Sequence, residues 1–169
     1  MGEPPSPTAA LVTVVAADEQ AATDGVDVDV DRWVALAHAA LAAAGARGEL
    51  TLTFVDRAEI AALNAEHLGK DGPTDVLSFP LDDEPQPGVP VLLGDVVVCP
   101  AVAADQAAAH AGTVDDELAL LVVHGVLHVL GHDHAEPAET TAMRVRELEL
   151  LRDHHWHGPP PSGFRQEQA

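Results

Sequence analysis

The run from Leu118 to Leu130 is the feature that most restricts how this chain can fold. It is apolar apart from two histidines, it contains no proline, and its length suits a helix better than a strand. Apolar side chains fall on all sides of such a helix, so the helix is stable only when other elements surround it. A chain of 169 residues is long enough to enclose one such helix in a single domain.

The two histidines in this run are His124 and His128, four residues apart. Residues at that spacing lie one above the other on a helix, so both imidazoles can reach the same ion. Gly131 suits a left-handed C-terminal cap, which would end the helix and turn the chain so that His134 reaches the ion as well. Three imidazoles with a fourth position open to water are typical of catalytic zinc. We therefore predict one Zn2+ per chain, bound by His124, His128 and His134.

The spacing of these histidines also matches the metzincin proteases, whose pattern is HExxHxxGxxH. Gly125 stands where those enzymes have a glutamate, the base that takes a proton from water and passes it to the leaving amine. A zinc peptidase is therefore disfavoured, and the glycine is expected to leave space beside the metal for larger groups. Asp133 is either a proton acceptor or a hydrogen-bond partner for the second ring nitrogen of a ligand. These residues alone predict a metal-dependent hydrolase.

Three segments carry a further signal: LNAEHLGKDGPTDVLSFP at 63–80, LGDVVVC at 93–99 and HGVLHVLGHDH at 124–134. In order and spacing they resemble the YbeY-type endoribonucleases, a family of ribosomal RNA maturation factors. The likeness covers about residues 10 to 153. It implies a zinc-dependent, single-strand-selective endoribonuclease that acts in ribosomal RNA maturation and ribosome quality control. The implied partners are single-stranded ribosomal RNA and a ribosomal subunit or ribosomal proteins.

Two residues depart from the pattern of that family. Leu68 stands where the family commonly has an arginine that is regarded as part of its RNA site, and Lys70 is a compensating charge two residues further on. We expect Lys70, Thr74 and Ser78 to bind the substrate. His132 replaces a family tyrosine, and we expect a spectator, a proton carrier or a competing ligand at this position.

Leu68 keeps a second kind of function open, a non-catalytic ribosome assembly factor whose zinc only stabilises the fold. A zinc peptidase is the third and less favoured interpretation. The sequence also leaves open whether water or the 2′-hydroxyl of the substrate attacks the phosphate. Cleavage of DNA, which lacks that hydroxyl, would exclude obligatory attack by the 2′-hydroxyl.

The charge of the chain limits how it can bind RNA. There are 28 Asp and Glu against 8 Lys and Arg, a formal net charge of -20. This argues against a general nucleic-acid coat protein, because such binding gets most of its affinity from neutralising phosphates. An acidic protein can still cut RNA if a metal and a few local donors hold the scissile phosphate, since remote charges are screened within about 8 Å at physiological salt. Delivery of the RNA by a ribosomal partner would offset the weak affinity that we expect.

No segment predicts secretion or a membrane anchor. The first residues lack a basic region followed by an apolar core, and no apolar run reaches the roughly 20 residues that span a bilayer. A single cysteine excludes a disulfide within the chain. We therefore expect a cytoplasmic protein without membrane contact.

Periodicity predicts an α+β fold, in which helices cover a small mixed β-sheet of about four strands and the buried central helix binds the metal. The expected domain spans residues 10–153, between a disordered leader at 1–9 and a disordered tail at 154–169. The site is expected to be a cleft where the end of the metal helix faces the loop from Gly69 to Asp75. Residues 82–90 form either a solvated loop or a lid over this cleft.

The expected boundaries follow from caps, prolines and alternation. We predict strands at 11–15, 50–55, 75–80 and 91–99. Helices are expected to follow the caps Asp31, Asp56 and Thr113 and to begin at Pro100 and Pro137. In the last helix four apolar residues are expected to face the core, namely Met143, Val145, Leu148 and Leu151.

Overall fold

The computed structural model describes residues 12–21, 25–81, 87–89, 91–133 and 135–166. The predicted leader at 1–9 and most of the predicted 82–90 loop lie outside these residues. In chain order the elements are β1 (Val12–Asp18), α1 (Val30–Ala43), β2 (Gly48–Phe54), α2 (Arg57–Leu68), β3 (Val76–Pro80), β4 (Leu92–Val98), α3 (Pro100–Gln106), α4 (Val114–Val129) and α5 (Pro137–Leu151). A 3-10 turn at Ala107–Ala109 precedes α4, and a π-helical turn at Arg152–Trp156 follows α5.

The strands form one mixed sheet in the order β1-β2-β4-β3. Strand β2 pairs in parallel with β1 and with β4, while β3 runs antiparallel to β4. In β2, Leu50, Leu52 and Phe54 are 0% exposed on one face. Thr51 and Thr53 alternate with them and lie half-buried on the other face. The predicted α+β class and the small mixed sheet covered by helices are confirmed.

Helix α4 packs on the buried face of the sheet and also contacts α1, α3 and α5. Its residues Leu118 and Val126 are 2% and 0% exposed. The predicted burial of this helix is therefore confirmed, and its metal binding stays a prediction. On the second face of the sheet, Ile60 of α2 packs with Leu77 and Val97. Within the described part of the chain, no helix is long and apolar enough to cross a membrane.

Helix α1 begins earlier than predicted. Asp29 caps it instead of Asp31, and the Asp29 carboxylate accepts a hydrogen bond from Arg32 N at 3.3 Å. Val28 and Val30 pack against the core, which fixes the chain before the first helical turn. Asp31 lies inside that turn, where its negative charge interacts favourably with the positive end of the helix dipole.

The buried face of α5 also differs from the prediction. Val145 is 52% exposed, whereas Glu147 and Leu150 are 4% and 1% exposed. With Met143 and Leu151, the two buried residues follow the helical spacing i, i+4, i+7, i+8, and Val145 lies on the opposite side of the helix. The expectation for Val145 was wrong because it rested on apolar character alone. The helical period places the carboxylate of Glu147 on the buried face and Val145 outside.

The segment after α5 differs from the predicted disordered tail over residues 154–166. His155 Nε2 lies 2.8 Å from Asp116 Oδ1, and Trp156 Nε1 donates to the same oxygen at 2.9 Å. Trp156 and Phe164 also pack against the core. These hydrogen bonds and apolar contacts hold the segment against α4 and the core. The wider division into leader, single domain and tail stays a prediction.

Candidate metal centre

Helix α4 brings two predicted metal ligands together. The Nε2 atoms of His124 and His128 lie 3.1 Å apart, and the ring centroids are 4.6 Å apart in an edge-on arrangement. Two nitrogens bonded to one tetrahedral zinc at about 2.0–2.1 Å would lie about 3.3 Å apart. The pair therefore fits a single zinc ion. The side chain of His124 is 30% exposed, so the pair is open to the adjoining cleft.

A C-terminal cap turns the chain directly after this pair. Gly131 has φ of 98°. Its N–H donates to His128 O at 3.0 Å, and His132 N donates to Leu127 O at 2.9 Å. These are the two hydrogen bonds of a Schellman motif, which needs a residue with positive φ at the glycine position. The predicted cap at Gly131 is confirmed.

The third predicted ligand, His134, lies outside the described residues. Among the residues that are described, no group of three or more His, Cys, Asp or Glu side chains could hold a metal. The three-histidine site therefore stays a prediction, of which the structure shows the first two members together. His132 and Asp133 are exposed after the cap. Their roles stay predictions as well.

The histidine pair opens into a cleft of about 340 Å3. One wall is β3 with the preceding Asp75, and Leu68 at the end of α2 lies at the cleft with 51% of its surface exposed. Ser78 is the predicted substrate-binding residue that lines this cleft, whereas Lys70 is exposed on the loop after α2 and does not line it. The described residues around the cleft include one acid and no Lys or Arg.

Gly125 lies between the two histidines but does not leave space beside them. A Cβ at this position would lie 2.5 Å from Val96 Cγ1 and 3.3 Å from Ser78 Oγ. The missing side chain allows α4 to approach β4 closely, and the glycine is buried between them. Ser78 Oγ also donates a hydrogen bond to Gly125 O at 3.3 Å. The expected open space was wrong, because strand side chains fill it. Because of the same contact, a glutamate would fit at this position only if the helix moved.

Asp75 is a cleft residue to which the sequence motif gave no role. Its carboxylate accepts hydrogen bonds from Val76 N at 2.8 Å, from Thr74 Oγ1 at 3.4 Å and from Gln106 Nε2 at 2.8 Å. These donors tie the start of β3 to the end of α3. Thr74, which we predicted to bind substrate, is thus engaged with this carboxylate. Whether Thr74 also contacts RNA stays a prediction.

Sequence reasoning also missed Glu147, which is 4% exposed on α5. Its Oε2 atom lies 3.4 Å from His124 Nδ1. The sequence did contain a signal, because Glu147 occupies the helical face that Met143 and Leu151 define. A carboxylate on the buried face of a helix requires a partner in the core.

Comparisons with known proteins agree with the motifs. The family model described as Endoribonuclease YbeY matches residues 14–155. The Endoribonuclease YbeY of Salinispora tropica is 46% identical over 145 residues, which cover 79% of this chain and 92% of that protein. The Endoribonuclease YbeY of Mycolicibacterium vanbaalenii is 40% identical over 154 residues, which cover 85% of this chain and 82% of that protein.

A solved structure supports the same fold. The solution structure of TM1509 from Thermotoga maritima matches with a TM-score of 0.53 and 23% sequence identity. The match covers 90% of this chain and 99% of that one. At this identity the likeness concerns the fold alone, while the family model and the two relatives concern the sequence. On this evidence the chain belongs to the Endoribonuclease YbeY family.

Proposed function

We propose that this protein is a Zn2+-dependent endoribonuclease that cuts single-stranded ribosomal RNA, in ribosomal RNA maturation and ribosome quality control. The observation that carries the proposal is the pair of Nε2 atoms of His124 and His128, 3.1 Å apart beside a cleft of about 340 Å3. Membership of a family whose relatives are named endoribonucleases supports the reaction. The proposal includes a cytoplasmic location, where ribosomal RNA is processed.

His124 and His128 would hold the zinc, with His134 as the proposed third ligand. When bound, zinc supplies Lewis acidity, which polarises a phosphoryl oxygen and makes water a better nucleophile. The two imidazoles are fixed on a buried helix, so their positions vary less than those of loop residues would. This rigidity matters because the described side chains around the cleft contain no Lys or Arg to hold a phosphate.

The shape of the cleft supports a preference for single strands. A volume of about 340 Å3 is at the lower end of the range for small-ligand pockets, so the cleft is small. Its apolar wall includes Leu68 and Phe79. Bases of single-stranded RNA are free to leave the stack and pack on such side chains, whereas paired bases are not.

The charge of the chain supports the need for a ribosomal partner. A net charge of -20 repels a polyanion over the whole surface, and Leu68 adds no cation where the family commonly has one. We therefore propose that RNA reaches the cleft while it is held by a ribosomal subunit or by ribosomal proteins. Cleavage of free RNA should accordingly be weak and should fall with dilution of the RNA.

Cleavage of a single-stranded ribosomal RNA fragment tests the proposal. The parent protein, characterised for its metal content, is compared with His128→Ala purified in the same way, which controls for contaminating nuclease. We expect about one zinc per chain and cleavage in the parent, and loss of both in the variant. A DNA copy of the fragment then tests whether the 2′-hydroxyl is obligatory.

A non-catalytic assembly factor is the second candidate, and the exposure of Leu68 at the cleft favours it. Under that interpretation the parent holds zinc and binds ribosomal subunits, but cuts RNA no better than His128→Ala. This result would replace the endoribonuclease proposal. A zinc peptidase has little support, because Val96 occupies the space that a glutamate at position 125 would need.

A further inference from the structure

We propose that Glu147 is the positioning residue for His124: its carboxylate accepts the Nδ1–H of the imidazole and so directs Nε2 toward the metal. The inference rests on the proposed metal site and adds a residue from a different helix. It assigns a role to a buried acid on α5 that the sequence motifs do not include.

The buried position of Glu147 requires a partner for its carboxylate. The residue is 4% exposed and lies on the face of α5 that contains Met143, Leu150 and Leu151. A carboxylate in such surroundings is unstable unless it has a hydrogen-bond donor or an opposite charge. His124 Nδ1 lies 3.4 Å from Oε2 and is positioned to donate this hydrogen bond, at a separation slightly longer than the usual range of about 2.7–3.2 Å.

The second ring nitrogen of His124, Nε2, faces the proposed metal site. A neutral imidazole has one N–H, so a proton on Nδ1 leaves a lone pair on Nε2. His124 Nε2 is the atom that faces His128 Nε2 at 3.1 Å. The ring is thus held with its donor nitrogen toward α5 and its acceptor nitrogen toward the proposed metal. Carboxylates that hold the second nitrogen of a histidine ligand in this way orient the ring and raise its basicity.

A second buried acid on α4 provides a matched control. Glu117 is 0% exposed and lies 2.6 Å from His110 Nδ1, so it resembles Glu147 in burial and in its histidine partner. It precedes His124 by seven residues, about 10 Å along the helix axis. A variant at Glu117 therefore removes a buried carboxylate–histidine pair from the same core without touching the metal ligands.

The experiment compares the parent with Glu147→Ala, Glu147→Gln and Glu117→Gln. Zinc affinity is measured by competition with a coloured chelator, and folding is measured by thermal unfolding of the zinc-free proteins. The tautomer of His124 is read from the 15N shifts of its ring in zinc-free protein, assigned by their loss in His124→Asn. None of these measurements depends on RNA cleavage.

We expect the parent to bind zinc and to carry the His124 proton on Nδ1. Glu147→Ala should bind zinc about 10- to 100-fold more weakly, the usual effect of removing such a partner, and its Nδ1 tautomer should be lost. Glu147→Gln should be intermediate, since its amide oxygen still accepts the N–H. Glu117→Gln should lower the unfolding temperature but keep the zinc affinity within about threefold of the parent, because it lies outside the ligand shell.

Two results would overturn the inference and leave the proposed function standing. One is a folded Glu147→Ala with the zinc affinity of the parent, and the other is a parent His124 ring protonated on Nε2. If Glu147→Ala does not fold, Glu147→Gln and the tautomer of the parent decide the question. A folded parent that binds no zinc would overturn both this inference and the proposed function.

Discussion

Leu68 lies at the cleft with 51% of its surface exposed, at the position where the sequence resemblance predicts an arginine. A leucine offers dispersion contact to a base but no hydrogen bond or charge to a phosphate. In a chain of net charge -20, one missing local cation bears directly on RNA binding. The sequence identified this departure, but only the structure places the side chain beside the histidine pair.

Leu68→Arg should raise kcat/KM for single-stranded RNA by roughly fivefold, the equivalent of about 1 kcal/mol from one partly exposed ion pair with a phosphate. The gain should shrink as salt increases, because salt screens the pair. Val145→Arg is the control, since it makes the same charge change at a side chain that is 52% exposed on the outer side of α5. Equal gains in both variants, or no gain in Leu68→Arg, would argue against a phosphate position next to residue 68.

Helix α4 is specified at its ends by local sequence and in its middle by the sheet. Thr113 Oγ1 accepts a hydrogen bond from Asp116 N at 3.1 Å, which fixes the start, and the Gly131 cap fixes the end. Both signals could be predicted because each involves residues only a few positions apart. The role of Gly125 could not be predicted in this way, because it depends on contact with Val96 of β4, which is distant along the chain.

Gly125→Ala should lower the free energy of unfolding by up to about 2 kcal/mol, because overpacking a core usually costs about 1–3 kcal/mol and alanine gains roughly 1 kcal/mol over glycine in a helix. The new Cβ would lie 2.5 Å from Val96 Cγ1 and would push α4 away from β4. Urea denaturation measures the change, and the same substitution made together with Val96→Ala should cost less. Additive effects of the two substitutions would show that this contact is not the cause.

On the scale of the whole molecule, the C-terminal segment closes on the start of α4. Asp116 is 9% exposed, and its Oδ1 atom lies within hydrogen-bond distance of His155 Nε2 and Trp156 Nε1. These residues follow Asp116 by 39 and 40 positions. The first turn of α4 therefore holds the C-terminal segment, in addition to any favourable interaction of its acids with the helix dipole.

Asp116→Ala should lower the free energy of unfolding by about 2 kcal/mol, because it removes the oxygen that two partly buried side chains share. The fluorescence of Trp156 should also change as its indole N–H loses its partner. Asp115→Ala is the matched control, since it removes an acid from the same helical turn. It also removes an exposed ion pair, in which the side chains of Arg32 and Asp115 are 43% and 64% exposed. The control should cost less than about 1 kcal/mol. Equal losses in urea denaturation would mean that the helix dipole, not the closing contact, is responsible.

By itself the sequence determined the features that depend on near neighbours along the chain. These are the buried helix with His124 and His128 on one face, its caps at Thr113 and Gly131, and the family. The tertiary structure alone decided the strand order, the contact of Gly125 with Val96, and the buried partners Glu147 and Asp116. Each of these joins residues from different elements, and no local period or spacing encodes which face meets which. Glu147 lies 23 residues beyond His124, and only the packing of α5 against α4 brings the two together.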